Sequence, residues 1–451
     1  MFSQNSTGCE GALAHEIPVP DHVQATHRDL LVERFPKWTV AHWCIVVTAA
    51  SFLLLTVLPE GRLNEFEVSS GSEAVLVARS LAAHTTFADP FATMKTGPTA
   101  HVAPVYPFLY SLILRAFGTG HTALQVAWAC NVFCFALQMG LLPLLSSRLQ
   151  LGILPGIVAA FLGTFSLHSP IDTRWEPFLA GLLLLLAFLA TERSLVRRSP
   201  SGTLIAGVLW GISILTNPVL ILLLVVWPVC WICVQPSQDR AKCVRRSIII
   251  SGLALLIVSP WIVRNYARFG TFIFVRDCLG LQLQNANTSC AAPALREHIQ
   301  SGCHARSGPN ANAAVAAELA AAGEVQFNRT KLHEALNWMS ANRKGFLILT
   351  LKRLRLFWFP NLDDLWQTAL VWTITLLSFA GVWLIIRMNP AGYVIGITWL
   401  VFPLIYYLSP FEARYRYPIF WTSLLPAAYA LVRIWQALPV LHPSPRSSTA
   451  S

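Results

Sequence analysis

The sequence predicts an all-α, polytopic membrane protein with about ten transmembrane helices, and three observations predict it. Of 451 residues, 55% are hydrophobic and only 12% charged, against about a quarter charged in an ordinary soluble domain. Apolar runs of bilayer length recur along the chain, separated by short basic connectors. No period-two alternation of the kind a membrane β-barrel needs is present in them.

Spans are read at 41–58, 121–146, 152–169, 177–192, 202–216, 218–234, 247–263, 366–386, 393–409 and 417–437. The net charge of +11 comes from 33 Lys+Arg against 22 Asp+Glu. In a soluble chain it would raise nucleic-acid binding, but here it follows the positive-inside rule. Arg148, then Arg193, Arg197 and Arg198, then Arg240, Lys242, Arg245 and Arg246, then Arg387 fall in alternate connectors. Those connectors are therefore expected to be cytoplasmic, with the N-terminal tail 1–40, whose charged opening is unlike a cleavable signal peptide.

This topology divides the chain into a transmembrane module 41–263 with a first outer loop 59–120, an outer helical region 264–365, C-terminal helices 366–437 and a Pro/Ser-rich tail 438–451, expected to be disordered. Val105–Phe117 is apolar but about 20 Å long as a helix, so it is expected to lie along the interface rather than cross a core of about 30 Å. In the second outer segment, Asn310–Ala322 closing at Gly323 and Glu324–Met339 predict a small helical cap. Phe346–Phe359, studded with Lys352, Arg353 and Arg355, predicts an amphipathic interfacial helix. Cys290 and Cys303 are placed to form a disulfide if that region faces an oxidising compartment.

The chemistry-bearing residues gather in the outer segments. Glu65, Glu67 and Glu73 follow the first span, and Glu73 opens a helix. A carboxylate there suits a general base acting on an acceptor hydroxyl, although Ser70-x-x-Glu73 also fits a capping box. Lys95 and His101 flank the turn-rich Thr96–Pro107, which leads to Tyr106. Glu176 stands where a span begins, with Arg174 as an available ion-pair partner. Arg264 with Tyr266, and Arg414 and Arg416 with Tyr417, set guanidinium groups beside aromatics at the membrane face. This pairing suits either phosphate binding or interfacial anchoring. There is no P-loop, dinucleotide fingerprint or metal-ligand spacing, and a divalent metal is neither required nor excluded.

Taken in order, these segments resemble the C-type (GT-C) membrane glycosyltransferases of the family-39 or protein-mannosyltransferase-like kind, including the aminoarabinose transferases. The matching residues are Glu73 with Ala78-Arg79-Ser80-Leu81, Asp89-Pro90-Phe91, Thr96-Gly97-Pro98-Thr99-Ala100, Pro104-Val105-Tyr106-Pro107 and Phe117-Gly118. Trp175-Glu176, Asn217-Pro218, Pro260-Trp261 with Arg264-Asn265-Tyr266, Arg276 with Gly280 and Asn285, and Glu412 with Arg414-Tyr415-Arg416 and Pro418 follow. The resemblance covers about 41–437.

It implies a sugar donor carried on a polyprenyl phosphate and an acceptor that is a glycolipid, polysaccharide or protein, both met at the outer face of a bacterial inner membrane. It also implies a first-loop acid that activates the acceptor. That acid falls on Glu73. In the better-known members it is an Asp somewhat upstream, where this chain has Ser70 and Gly71, which keeps Glu67 as a second candidate. The expected roles are catalysis for Glu73, Glu176 and Glu67, donor-phosphate binding for Arg264, Arg414, Arg416 and Lys95, and substrate contact for His101, Tyr106, Tyr266 and Tyr417. A transporter of lipid-linked saccharide and a non-catalytic scaffold are the rival readings. The nearly charge-free span interiors weigh against transport.

Overall fold

A computed structural model describes residues 38–57, 72–167 and 176–438. These are helical throughout, with two isolated β-bridges and no strand among the described residues. Six helices are long and apolar enough to cross a membrane: Val40–Val57, His121–Arg148, Pro177–Leu195, Ser237–Phe269, Leu365–Ile386 and Ala391–Leu408. The other four expected spans fall on Leu154–Phe165, Pro200–Thr216, Pro218–Val234 and Phe420–Ala437. The first three are shorter than 18 residues and lie within the same packed bundle.

The bundle is organised around α1 (Pro177–Leu195), which is apolar on all sides and buried along most of its length. An all-round apolar helix belongs in an interior, where every face finds a packing partner. On one side lies α2 (Pro200–Thr216), and against α2 runs α3 (Ser237–Phe269). Gly207 and Gly211, one turn apart on α2, allow this approach: a Cβ on either would stand 2.5 Å from Leu253 or Ile257 of α3. Small residues at this spacing let helix backbones close up where lipid supplies no hydrophobic drive. The core joins Trp210, Trp227, Phe188 and Trp421 through edge-to-face contacts of 5.2–5.3 Å. Trp210 donates to Thr191 and Trp227 to Thr398, while Trp421 Nε1 has no acceptor among the described residues.

α3 is longer than its expected span 247–263. Its 33 residues reach about 50 Å, which exceeds the hydrocarbon thickness and carries both ends beyond it. The two ends of the bundle differ in chemistry. At the end where α1 stops, Arg148 and Arg197 meet Glu192, Arg198 pairs with Asp239, and Arg246 donates to the carbonyls of Ser194 and Arg198. The helix cap and the acids Glu73 and Glu176 sit at the other end.

That second end is built from α4 (Glu73–His84), α5 (Val105–Phe117), α6 (Leu279–Ala286), α7 (Glu324–Ala341) and α8 (Arg343–Trp358). α5 has the expected bounds. It packs Tyr106, Tyr110 and Leu114 inward against α4 while Phe108, Leu109, Leu112 and Phe117 remain exposed, as an interfacial helix requires. The expected cap helix appears as Ala313–Ala322, capped by Asn312 and ended by Gly323, and Cys290 and Cys303 are bridged.

Two expectations about this end change. The N-cap of α4 is Ser72, whose hydroxyl accepts from Val75 N, so Glu73 is the first helical residue. The capping-box register with Ser70 is therefore not the one used; Ser70 itself lies outside the described residues. Arg353, expected on the polar face of an interfacial helix, is fully buried and donates to Asn287 and to the carbonyls of Ala286 and Leu408.

Candidate functional site

The loop from Phe87 to His101 forms the wall of the candidate site. It folds back on itself: Asp89 N donates to Gly97 O, Gly97 N to the Asp89 carboxylate, and Thr99 N to Phe87 O. Asp89 takes a left-handed conformation (φ 58°), which a short polar side chain tolerates when it bonds locally.

Three other segments then grip the end of the loop. From α7, the Glu324 carboxylate accepts from Thr99 Oγ1 (2.5 Å) and Ala100 N (2.7 Å). From α3, Arg264 donates to Thr99 O (2.7 Å) and Phe87 O (3.0 Å), with its guanidinium 4.8 Å from the Trp261 ring and 5.2 Å from Phe87. From the segment after α3, Asp277 N donates to Ala100 O and Arg276 Nε to His101 O, both at 2.9 Å.

Arg276 is the centre of this arrangement. The bond from Nε to His101 O fixes the plane of the guanidinium and leaves Nη1 and Nη2 without a hydrogen bond among the described residues. Burial works against its charge, but Cys278, Glu176, Glu73 and Tyr406 around it prevail and hold its pKa above the ordinary value. Neither Glu73 nor Glu176 makes an ion pair or hydrogen bond among the described residues. Two carboxylates thus lie within electrostatic reach of a guanidinium without bonding to it. That is the condition for groups held ready for a ligand rather than for structure.

The aromatic side of the region comes from the chain's C-terminal third. Tyr406 and Tyr415 stack with centroids 4.6 Å apart, and Asn217 donates to the Tyr406 hydroxyl. Arg414 pairs with Glu412 at 2.6 Å and lies 5.4 Å from the Tyr415 ring. Burial raises the Tyr415 pKa against the opposing influence of Arg414, so the phenol stays protonated as a donor. On the cap side, Asn285 accepts from His298 and Ser307 and pairs with His304. Burial lowers the His304 pKa, opposed by the charge of Glu73, which therefore lies within electrostatic reach of the cap.

Of the residues expected from sequence, Glu73 and Glu176 lie within electrostatic reach of Arg276, and His101 meets it through its carbonyl. The His101 ring is buried edge-on to Phe91, and burial followed by the Arg276 charge lowers its pKa to about 3, so it remains neutral. Arg264 has both terminal nitrogens on loop carbonyls and acts as a pin of the wall.

Arg416 is 1% exposed and donates to Trp358 O and Thr375 Oγ1 inside the bundle. Tyr417 is buried and stacked on Phe178, and Tyr106 is buried and accepts from Asn131. Lys95 and Tyr266 are exposed. Glu67 and Arg174 lie outside the described residues.

Sequence reasoning gave no role to Arg276, Asp277 or Glu324. The available signal was the charged pair Arg276-Asp277 interrupting the apolar stretch Thr271–Leu281. Among the described residues, no group of three or more His, Cys, Asp or Glu side chains is gathered as for a metal ion. No protein-family model matches the chain, and no characterised protein matches it in sequence.

Proposed function

We propose that the chain is a glycosyltransferase with a C-type fold and about ten spans, seated in a bacterial inner membrane. It transfers a sugar from a polyprenyl-phosphate donor to an acceptor hydroxyl of an envelope glycolipid, polysaccharide or protein on the periplasmic side. The observation that carries this reading is Arg276, whose terminal nitrogens make no hydrogen bond among the described residues and which lies within electrostatic reach of the unpaired carboxylates of Glu73 and Glu176.

In the proposed reaction Glu73 takes the proton of the acceptor hydroxyl, whose oxygen forms a bond to the anomeric carbon of the donor sugar. The bond from that carbon to the phosphate oxygen breaks, and its electron pair leaves with the lipid phosphate. Arg276 receives the developing negative charge through Nη1 and Nη2, since a planar fork matches two phosphate oxygens. The His101 carbonyl keeps the guanidinium oriented, Glu176 supports its charge from nearby, and Arg414 and Tyr415 line the donor side. Arg264 and Arg416, expected to hold the phosphate, are occupied elsewhere and take structural roles in this proposal.

A scaffold would pair its acids with its arginines, as Glu192 is paired with Arg148 and Arg197. The test is transfer from a panel of radiolabelled polyprenyl-phosphate sugars in membranes, comparing wild type with Glu73→Gln at matched folded protein. Turnover by wild type and none by the variant supports the proposal. Equal turnover by both removes Glu73 as the base, and no turnover with any donor refutes the class.

A further inference from the structure

At the opposite end of α1 from Glu176, one helix length or about 24 Å away, the structure contains a polar cavity of about 490 Å³. It is lined by Arg148, Gln150, Glu192, Arg197, Trp231 and Asn389, with Leu149, Val196 and Pro390 between them. This volume is in the range of small-ligand sites, and the proposed transfer reaction makes no use of it.

The hydrogen-bond inventory of the cavity is one-sided. Its single carboxylate, Glu192, is buried and already engaged by Arg197 Nε at 2.9 Å and Arg148 Nη1 at 3.4 Å. Arg148 Nη1 also reaches Leu189 O, again at 3.4 Å, and the Asn389 amide donates to Leu149 O. Among the described residues nothing accepts from the terminal nitrogens of Arg197 or from the remaining nitrogens of Arg148.

The indole N–H of Trp231 is in the same state. The side chain is 1% exposed, and Nε1 has no partner. The buried indoles of Trp210 and Trp227 each donate to a threonine hydroxyl, and Trp421, also without an acceptor among the described residues, does not line the cavity. A buried donor without an acceptor costs free energy in proportion to its lost hydration, and an incoming acceptor relieves that cost.

Two guanidinium groups against one carboxylate leave a net positive charge, and the unmet charged groups are all donors; the neutral Gln150 carboxamide offers one oxygen and one NH2. The net positive charge disfavours a cation, whereas a phosphate offers several oxygens to converging N–H groups. The cavity sits at the helix ends, beside the chain's most basic connectors, where helices of bilayer length meet headgroups. We propose that it is a phosphate-binding site that holds the headgroup of an anionic phospholipid, with Arg148 and Arg197 contacting the phosphate and Trp231 donating its indole N–H.

The test uses the full chain purified in neutral detergent, titrated with phosphatidylglycerol, with uncharged diacylglycerol and with inorganic phosphate. Native mass spectrometry and thermal unfolding provide the readouts. Trp231→Phe removes only the N–H, Arg197→Gln removes an exposed cation of the cavity, and Lys242→Gln removes an exposed cation outside the cavity lining. The expected result is saturable uptake of phosphatidylglycerol, weakened about tenfold by Trp231→Phe and by Arg197→Gln and unchanged by Lys242→Gln.

Saturable binding of inorganic phosphate with the same variant pattern, and no added preference for the lipid, would uphold the phosphate site and assign it to a soluble ligand. Wild-type affinity in both cavity variants, or an equal loss in Lys242→Gln, would overturn the proposal in favour of diffuse surface charge. If Trp231→Phe does not fold, Arg197→Gln set against Lys242→Gln decides alone. None of these readouts depends on sugar transfer, so they separate from the fate of the proposed reaction.

Discussion

Arg264→Gln separates a wall pin from a phosphate ligand. In the structure Arg264 makes two charge-assisted hydrogen bonds to loop carbonyls, at 2.7 and 3.0 Å, and packs its guanidinium against Trp261 and Phe87. Hydrogen bonds to a charged group contribute about 1.5–3 kcal/mol each, and a partly exposed cation–π contact about 0.5–1 kcal/mol. The glutamine amide restores at most one such bond, without the charge or the stacking. Allowing for solvent access to the side chain, the net loss is about 3 kcal/mol, which raises the local opening equilibrium on the order of a hundredfold.

Hydrogen–deuterium exchange should therefore accelerate by roughly that factor in peptides covering Phe87–His101, while α1 and α2 exchange as in wild type. Arg276 leans on His101 O, so the proposed sugar transfer should fall together with loop protection. Unchanged exchange in the loop, accompanied by a raised KM for the donor alone, would refute this reasoning and return Arg264 to the phosphate.

Three further perturbations follow from the same geometry. Burial, followed by the opposing hydrogen bonds from Thr99 and Ala100, sets the Glu324 pKa at about 7, above the usual 4.5. The fold therefore favours its protonated form, and that contribution of roughly 3 kcal/mol is complete below about pH 4.5 and lost as pH rises through 7. Thermal unfolding measured from pH 5 to 8.5 should show Glu324→Gln flattening the decline seen in wild type; an unaltered pH profile would contradict this. Arg416→Met should retain stability within about 2 kcal/mol, whereas Arg416→Ala, which leaves a void, should cost about 2–5 kcal/mol by thermal unfolding. Loss of transfer in Arg416→Met at an unchanged Tm would instead place Arg416 in the site. Cys303→Ser opens a loop of 13 residues' separation and should cost about 3 kcal/mol in cap stability, read as faster exchange across 279–307 with the bundle unaffected.

The helical architecture was legible in the sequence because bilayer length and apolar composition are local properties. The bounds of α5 and the glycine stop at Gly323 were read correctly for the same reason: each depends on a few adjacent residues. α3 extends past its expected span because its ends, which carry Arg240, Arg245 and Arg246 at one and Arg264 and Arg268 at the other, are polar and look like connectors until seen in the helix.

The candidate site was only partly legible. Glu73 and Glu176 stood out as acids next to apolar runs, but the use to which an arginine is put depends on what lies across from it. Arg264 and Arg416 look alike in sequence, each beside aromatics. One meets loop carbonyls and the other lies buried in the bundle, both set by segments far along the chain. Arg276 carries no helix or turn signature. Its role follows from His101, 175 residues earlier, taking one nitrogen and leaving two.

The central claim is that Arg276 stabilises a leaving phosphate while Glu73 takes the acceptor proton. The most direct measurement is single-turnover transfer from a radiolabelled polyprenyl-phosphate sugar by wild type, Arg276→Gln and Arg276→Lys, each verified as folded by its thermal unfolding profile. Loss of one preorganised charge contact at a leaving group costs about 10²–10³-fold in rate. Arg276→Gln should therefore lose at least that much, and Arg276→Lys should recover part of it as a single point charge. Transfer by Arg276→Gln at the wild-type rate would contradict the account.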